Sequence, residues 1–169
     1  MTKENGKPLV ESEVEIDYAV NYIYWYAEEV KRIYGRIIFS HSEDKRLQVT
    51  KQPIGSVCAI CLWNFPAAMM TIKAAPAFAT GCTFIIKSVE KTLLTTIRLI
   101  ELAHKAGIPT DVLQYVNGKG KFIGELLTSN SLVKKITFTE STPVGKSLYI
   151  FSKSYVLNYN YCKNPISYY

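Results

Sequence analysis

The chain has 169 residues, 48% of them apolar, and a net charge of +6. That suffices for one domain with a packed core and excludes wholesale disorder. Its cations come in nothing denser than pairs such as Lys45-Arg46 and Lys134-Lys135, too sparse for a nucleic-acid footprint. No apolar run approaches the roughly 20 residues of a membrane span, and the opening MTKENGKPLVESEVE is too polar and acidic for a secretory signal.

A long helical pattern opens at Glu11-Ser12-Glu13-Val14-Glu15-Ile16. Val14, Tyr18, Tyr22 and Trp25 with Tyr26 then recur at three- and four-residue steps, and Gly35 is the expected stop. IIFSH and RLQVTKQPIG read as two extended segments, and the alternation of Leu47, Val49 and Lys51 predicts a half-exposed strand. SVCAICLW is a buried strand. AAMMTIKAAPAFATG is a helix, weakened by Pro76 and ended by Gly81. CTFIIK is a second buried strand. TLLTTIRLIELAHKAG is a helix, with Thr92 as its cap and Gly107 as its stop. VLQYV, GKFIGELLTSN and VKKITFTE follow as strand, short helix and strand.

Strand and helix thus alternate from about residue 56 to 140, the signature of βαβ units and an α/β fold with a parallel sheet. Such sheets carry ligands at the carboxyl ends of their strands. Asn64, Lys87, Asn117 and Thr139 all fall at or just past such ends. Asn64 is a turn amide beside Pro66 or a group facing a ligand. Lys87 leaves its strand as a cation able to hold a phosphate or hydroxyl, and Glu90 follows three residues later as a carboxylate able to accept from a ribose diol. The plainer reading is a surface ion pair.

Cys58 and Cys61 have metal or redox spacing, but strand alternation puts them on opposite faces. No second such pair and no nearby His completes a zinc set, so they read as buried thiols, as free Cys in a reducing compartment does. Two phosphate-loop patterns are near-misses. Gly118-Lys119-Gly120-Lys121-Phe122-Ile123-Gly124 has one residue too many for GxGxxG. In residues 140–147, Glu140 holds the first position of GxxxxGK[ST], where a carboxylate opposes phosphate, and Pro143 removes one N–H. Residues 148–169 change character, with Tyr and Asn but no acid, no clear period and no cap. They are expected to form an irregular tail unrelated to the domain before it.

In order, TKENGKPLVESEVEI, WYAEEVKRIYG, KQPIG, WNFPAAMMTIKAAPAFATGCTFIIK, LAHKAGIP and LVKKITFT resemble the NAD(P)-dependent aldehyde dehydrogenases, and within them the succinate-semialdehyde dehydrogenases. The resemblance covers residues 1–147. It implies part of a Rossmann-like cofactor domain that lacks the usual glycine fingerprint, with residues 37–52 as bridging strands of the kind that build oligomer contacts. It implies that Asn64 donates its amide to the oxyanion formed when a thiolate attacks an aldehyde, with Trp63 shaping the cofactor and substrate wall. By the same resemblance Lys87 and Glu90 contact the adenosine ribose, Gly118 belongs to the adenine-side turn, and Ser141 and Gly145 belong to the pyrophosphate loop. The implied cofactor is NAD rather than NADP, since Glu90 would repel a 2′-phosphate. The implied reaction is oxidation of succinate semialdehyde to succinate by a homo-oligomer acting on a small aldehyde, mitochondrial in an animal and otherwise cytoplasmic.

The departures shape a second expectation. Glu140 stands where the family has a glycine beside the pyrophosphate, which opposes cofactor binding. Leu62 and Ser88 stand where prolines are usual, and Lys121 where a small residue is. The family's nucleophilic Cys in GQxC and base Glu in ELGG lie beyond the matched stretch, and neither motif occurs among these 169 residues. The expectation is a piece of the enzyme, inactive alone, with a non-catalytic nucleotide-binding or subunit-interaction remnant as the alternatives.

Overall fold

Runs of β-branched and aromatic residues between glycine and proline punctuation become strands, and the segments between them become helices. The computed structural model describes residues 1–139 and 144–145, together with the backbone of 156–159. A one-turn helix α1 (Thr2–Asn5) precedes the long helix α2 (Leu9–Glu29), which tightens into a 3-10 turn (Val30–Arg32). Strands β1 (Arg36–Phe39) and β2 (Arg46–Val49) come next. Then follow β3 (Ser56–Ile60), α3 (Ala68–Ala79), β4 (Thr83–Lys87), α4 (Leu93–Lys105), β5 (Leu113–Val116), α5 (Gly120–Ser129), β6 (Val133–Phe138) and β7 (Val156–Tyr159).

Strands β3 to β7 form one parallel sheet in the order β5-β4-β3-β6-β7. The chain walks outward from β3 to β5, then crosses back to place β6 on the other side of β3. The direction of winding therefore reverses between β3 and β6, where an open α/β sheet forms its ligand crevice. The expected fold class is the one found: a parallel sheet with flanking helices, and a separate antiparallel pair, β1 with β2. Within the stretch expected to be an irregular tail, residues 156–159 extend the sheet beside β6, from Lys135 opposite Val156 to Phe138 opposite Tyr159. Alternating Val156 and Asn158 with Leu157 and Tyr159 suits a strand, but four residues without a bounding turn give little signal.

The sheet is packed on both faces. Val57, Ala59 and Cys61 meet Met70, Ala74, Phe84, Ile86 and Ile100 under α3 and α4. Cys58 and Ile60 meet Ile123, Leu127, Ile136 and Phe138 under α5. The strand thus sends its two cysteines to opposite faces, as alternation requires. Cys58, Cys61 and Cys82 are buried; burial pushes the Cys58 thiol up to about 12, and the Cys61 Sγ donates to the Met69 carbonyl at 3.3 Å.

Of four local expectations, two are corrected and two are met. Helix α2 ends before Gly35, and that glycine serves the ribbon instead: a Cβ there would sit 2.6 Å from the Val49 carbonyl oxygen. Pro76 lies inside α3, and the helix ends just ahead of Gly81, as expected. Thr92 precedes α4 but makes no side-chain cap; the Glu4 carboxylate accepts from the Leu94 N–H at 2.8 Å, the Thr95 N–H at 2.9 Å and the Thr95 hydroxyl. The β1–β2 ribbon is half-exposed as expected, with Leu47 and Val49 each 46% exposed while Ile37 and Phe39 on β1 stand almost clear of the protein.

Helix α2 buries a face its aromatic spacing does not mark. Ser12, Glu15 and Ala19 are its buried residues, while Val14, Tyr18 and Trp25 are exposed. Small side chains let α2 approach α3 closely, with Ala19 against Ala67 and Ala68. Phe84 is wholly buried and Phe39 wholly exposed. Phe84→Ala should therefore cost about 3 to 5 kcal/mol and Phe39→Ala less than about 0.5 kcal/mol, read as midpoints of urea unfolding at unchanged slope.

Candidate active site

Register places the strand ends level. Ile60, the last residue of β3, lies opposite both Lys87 and Phe138, and Lys87 lies opposite Val116. The ladder runs one step further, with the Cys61 N–H donating to the Lys87 carbonyl at 3.1 Å and the Thr139 N–H to the Ile60 carbonyl at 3.1 Å. The convergence expected of Asn64, Lys87, Asn117 and Thr139 on one edge is thus met by topology.

The two asparagines at this edge behave differently. Asn117 Oδ1 accepts from the Gly118 N–H at 2.9 Å, so it satisfies its own turn. Asn64 does not: its Oδ1 is buried with no partner among the described residues. Its main chain is held instead. The Asn64 carbonyl accepts from Lys7 Nζ at 2.8 Å, and the Trp63 carbonyl accepts from Asn5 Nδ2 at 2.8 Å. Trp63 itself is half exposed on the rim.

Lys87, Glu90 and the Gly118–Gly120 turn form a second group. Lys87 is almost fully buried, and its ammonium reaches Glu90 Oε1 at 3.3 Å. Glu90 is half exposed, and its carboxyl is held below the usual range. Its own backbone N–H is the largest cause, partial burial opposes it, and Lys87 and the Gly120 backbone add to it. Gly118 has φ 144°, and a Cβ there would stand 3.2 Å from Ile123, while a Cβ on Gly120 would stand 4.0 Å from Lys87 Nζ. Two glycines of the Gly118-Lys119-Gly120 turn thus stand beside a buried cation and a half-exposed acid, a donor and an acceptor side by side. Gly145 lies against β6: a Cβ there would meet the Phe138 ring at 3.0 Å. Ser141 and Glu140 lie outside the described residues.

Two sets of residues escape a sequence reading. Lys7 and Glu15 form an ion pair at 2.5 Å with almost no exposed side chain, and Glu15 Oε1 accepts from the Ala67 and Ala68 N–H groups at 2.7 and 3.2 Å, ahead of α3. Lys73 is buried and donates to Thr139 Oγ1 at 2.8 Å. A lone cation in the apolar helix AMMTIKAAPAFA was the available signal for Lys73. Among the described residues no cluster of His, Cys, Asp or Glu could hold a metal, and no helix is long and apolar enough to cross a membrane.

A crevice at the reversal of a parallel sheet, edged by a buried lysine, a half-exposed glutamate and a glycine-containing turn, is where an open α/β domain takes its ligand. The aldehyde dehydrogenase family model matches residues 1–157, and the chain belongs to that family. It is 55% identical over 148 residues to a glutarate-semialdehyde dehydrogenase of Pseudomonas putida, covering 88% of this chain and 31% of that protein. It is 53% identical, with the same coverage, to the NADP-dependent succinate-semialdehyde dehydrogenase GabD of Escherichia coli. The crystal structure of succinate-semialdehyde dehydrogenase from Burkholderia pseudomallei superposes with a TM-score of 0.90 at 44% identity, covering 92% of this chain and 33% of that one. The chain thus spans about a third of the length of the relatives it matches.

Because the Glu90 pKa is lowered in the fold, its stabilising contribution is present above the ordinary glutamate value of about 4.3 and is lost as pH falls through its own lower value. A carbon-13 titration of the Glu90 carboxyl should show that lowered midpoint. In Lys87→Met it should move only part of the way back, because the backbone donors remain.

Proposed function

We propose that this chain supplies the nucleotide-holding and oxyanion-donating part of an NAD-dependent semialdehyde dehydrogenase, with succinate semialdehyde as substrate. The observation that carries the reading is Asn64: an amide just past the carboxyl end of β3, on a main chain held by Asn5 and Lys7, with the Nδ2 group as the donor an oxyanion needs. Such an amide is fixed before charge develops and so stabilises an oxyanion at little cost in reorganisation. The kinship with succinate- and glutarate-semialdehyde dehydrogenases supports this substrate class.

NAD would supply the hydride acceptor. Lys87 would donate to the adenosine ribose, Glu90 would accept from its hydroxyls, and the Gly118 turn would leave room at the adenine side. Trp63 would wall the cofactor and substrate, with Ser141 and Gly145 at the pyrophosphate. The ionised Glu90 disfavours a 2′-phosphate, which is the basis for preferring NAD even though GabD takes NADP. Mitochondria are the expected compartment in an animal or a plant, where relatives are named mitochondrial, and the cytoplasm in a bacterium.

These 169 residues contain neither a GQxC nor an ELGG motif, and with no such thiolate the usual covalent route has no nucleophile. The purified chain should therefore give no aldehyde-dependent NADH; an NADH signal abolished by Asn64→Ala would contradict this. Calorimetry should detect NAD binding more readily than NADP, and Glu90→Gln should narrow the preference by about tenfold, or 1.4 kcal/mol. No heat at millimolar NAD would reject the nucleotide reading. In that event the bare β1–β2 ribbon, with Ile37 82% and Phe39 101% exposed, favours a second reading, a surface for pairing with a family subunit.

A further inference from the structure

The Asn64 Oδ1 has no partner among the described residues to anchor the amide, so its aim depends on its main chain and packing. Around Asn64 the main-chain groups at Trp63, Asn64, Ala67 and Ala68 are all engaged by side chains from residues 5–15. Asn5 takes the Trp63 carbonyl, Lys7 takes the Asn64 carbonyl, and Glu15 takes the Ala67 and Ala68 N–H groups. The clamp is closed on itself, because Glu15 Oε2 binds the same Lys7 ammonium at 2.5 Å, and that ammonium lies 4.1 Å from the Phe65 ring centroid. One ammonium and one carboxylate thus seat both ends of the Trp63–Ala68 turn.

We infer that Lys7 and Glu15 are positioning residues for the Asn64 amide, a role distinct from stabilising α2. The pair is sheltered from water, with side chains 9% and 0% exposed, so each member loses its compensation when the other is removed. Removal of Lys7 leaves the Asn64 carbonyl without its donor and frees the turn to rotate the amide. Glu4, also in the amino-terminal segment, is a built-in control: its carboxylate caps α4 and touches neither Trp63 nor Asn64.

This inference rests on reading Asn64 as the oxyanion donor, yet its test needs neither cofactor nor aldehyde, so a failed NAD titration and a failed clamp are separate results. The test is nitrogen-15 NMR of the Asn64 side-chain amide in the full 169-residue chain. The parent chain should show one resolved, rigid amide pair. Lys7→Met should lose it to averaging, with an order parameter below about 0.6, while Glu4→Gln should leave it in place although α4 is weakened. An Asn64 pair unmoved by Lys7→Met, or disturbed equally by Glu4→Gln, overturns the inference. Should Lys7→Met not fold, Lys7→Gln and the parent chain decide: a rigid pair that loosens in Lys7→Gln supports the clamp, and a pair averaged in the parent or unmoved in Lys7→Gln overturns it.

Discussion

The arrangement depends on one buried carboxylate. Glu15 has no exposed side-chain surface, and a charge so placed persists only where it is paired and hydrogen-bonded. Its partners are the Lys7 ammonium and the first free N–H groups ahead of α3. Helix starts leave such N–H groups unsatisfied and favour negative charge beside them. Removing one partner of a buried pair typically costs about 3 to 5 kcal/mol. One carboxylate thus joins α2 to α3 and, through Lys7, to the turn that carries Asn64.

The sheet supplies the other half of the design. Level strand ends and a reversal of winding beside β3 bring Asn64, Lys87, Glu90 and Gly118 to one edge. Lys87 ends β4 with Glu90 just after it, Gly118 follows β5, and Asn64 follows β3. Polar groups around this edge are satisfied locally and from a distance: Asn117 closes its own turn, Lys73 ties α3 to Thr139 beyond β6, and Glu4 caps α4.

Local signals were legible in the residues and distant ones were not. The βαβ alternation, the two faces of the Cys58–Cys61 strand and the Lys87–Glu90 pair all depend on neighbours a few residues apart. The Lys7 bond to Asn64 spans 57 residues and the Glu4 cap spans 91, and no period or spacing encodes either. The buried face of α2 misled for a related reason. Its aromatic recurrence marked a helix, but close approach to Ala67 and Ala68 called for small residues, and the cap of α3 called for an acid. Strand β7 carried too short a pattern to stand out from the Tyr- and Asn-rich stretch around it. WNFP was the exception, a motif specific enough to point to Asn64 without any knowledge of the clamp that holds it.

Native-state hydrogen exchange at Ala67 and Ala68 tests this account most directly. If the Glu15 carboxylate joins α2, α3 and the sheet into one cooperative unit, these two amides should exchange with the same opening free energy as core amides of β3 and β4, such as Ala59 and Phe84. Fast local exchange at Ala67 and Ala68, with the sheet amides still protected, would contradict it.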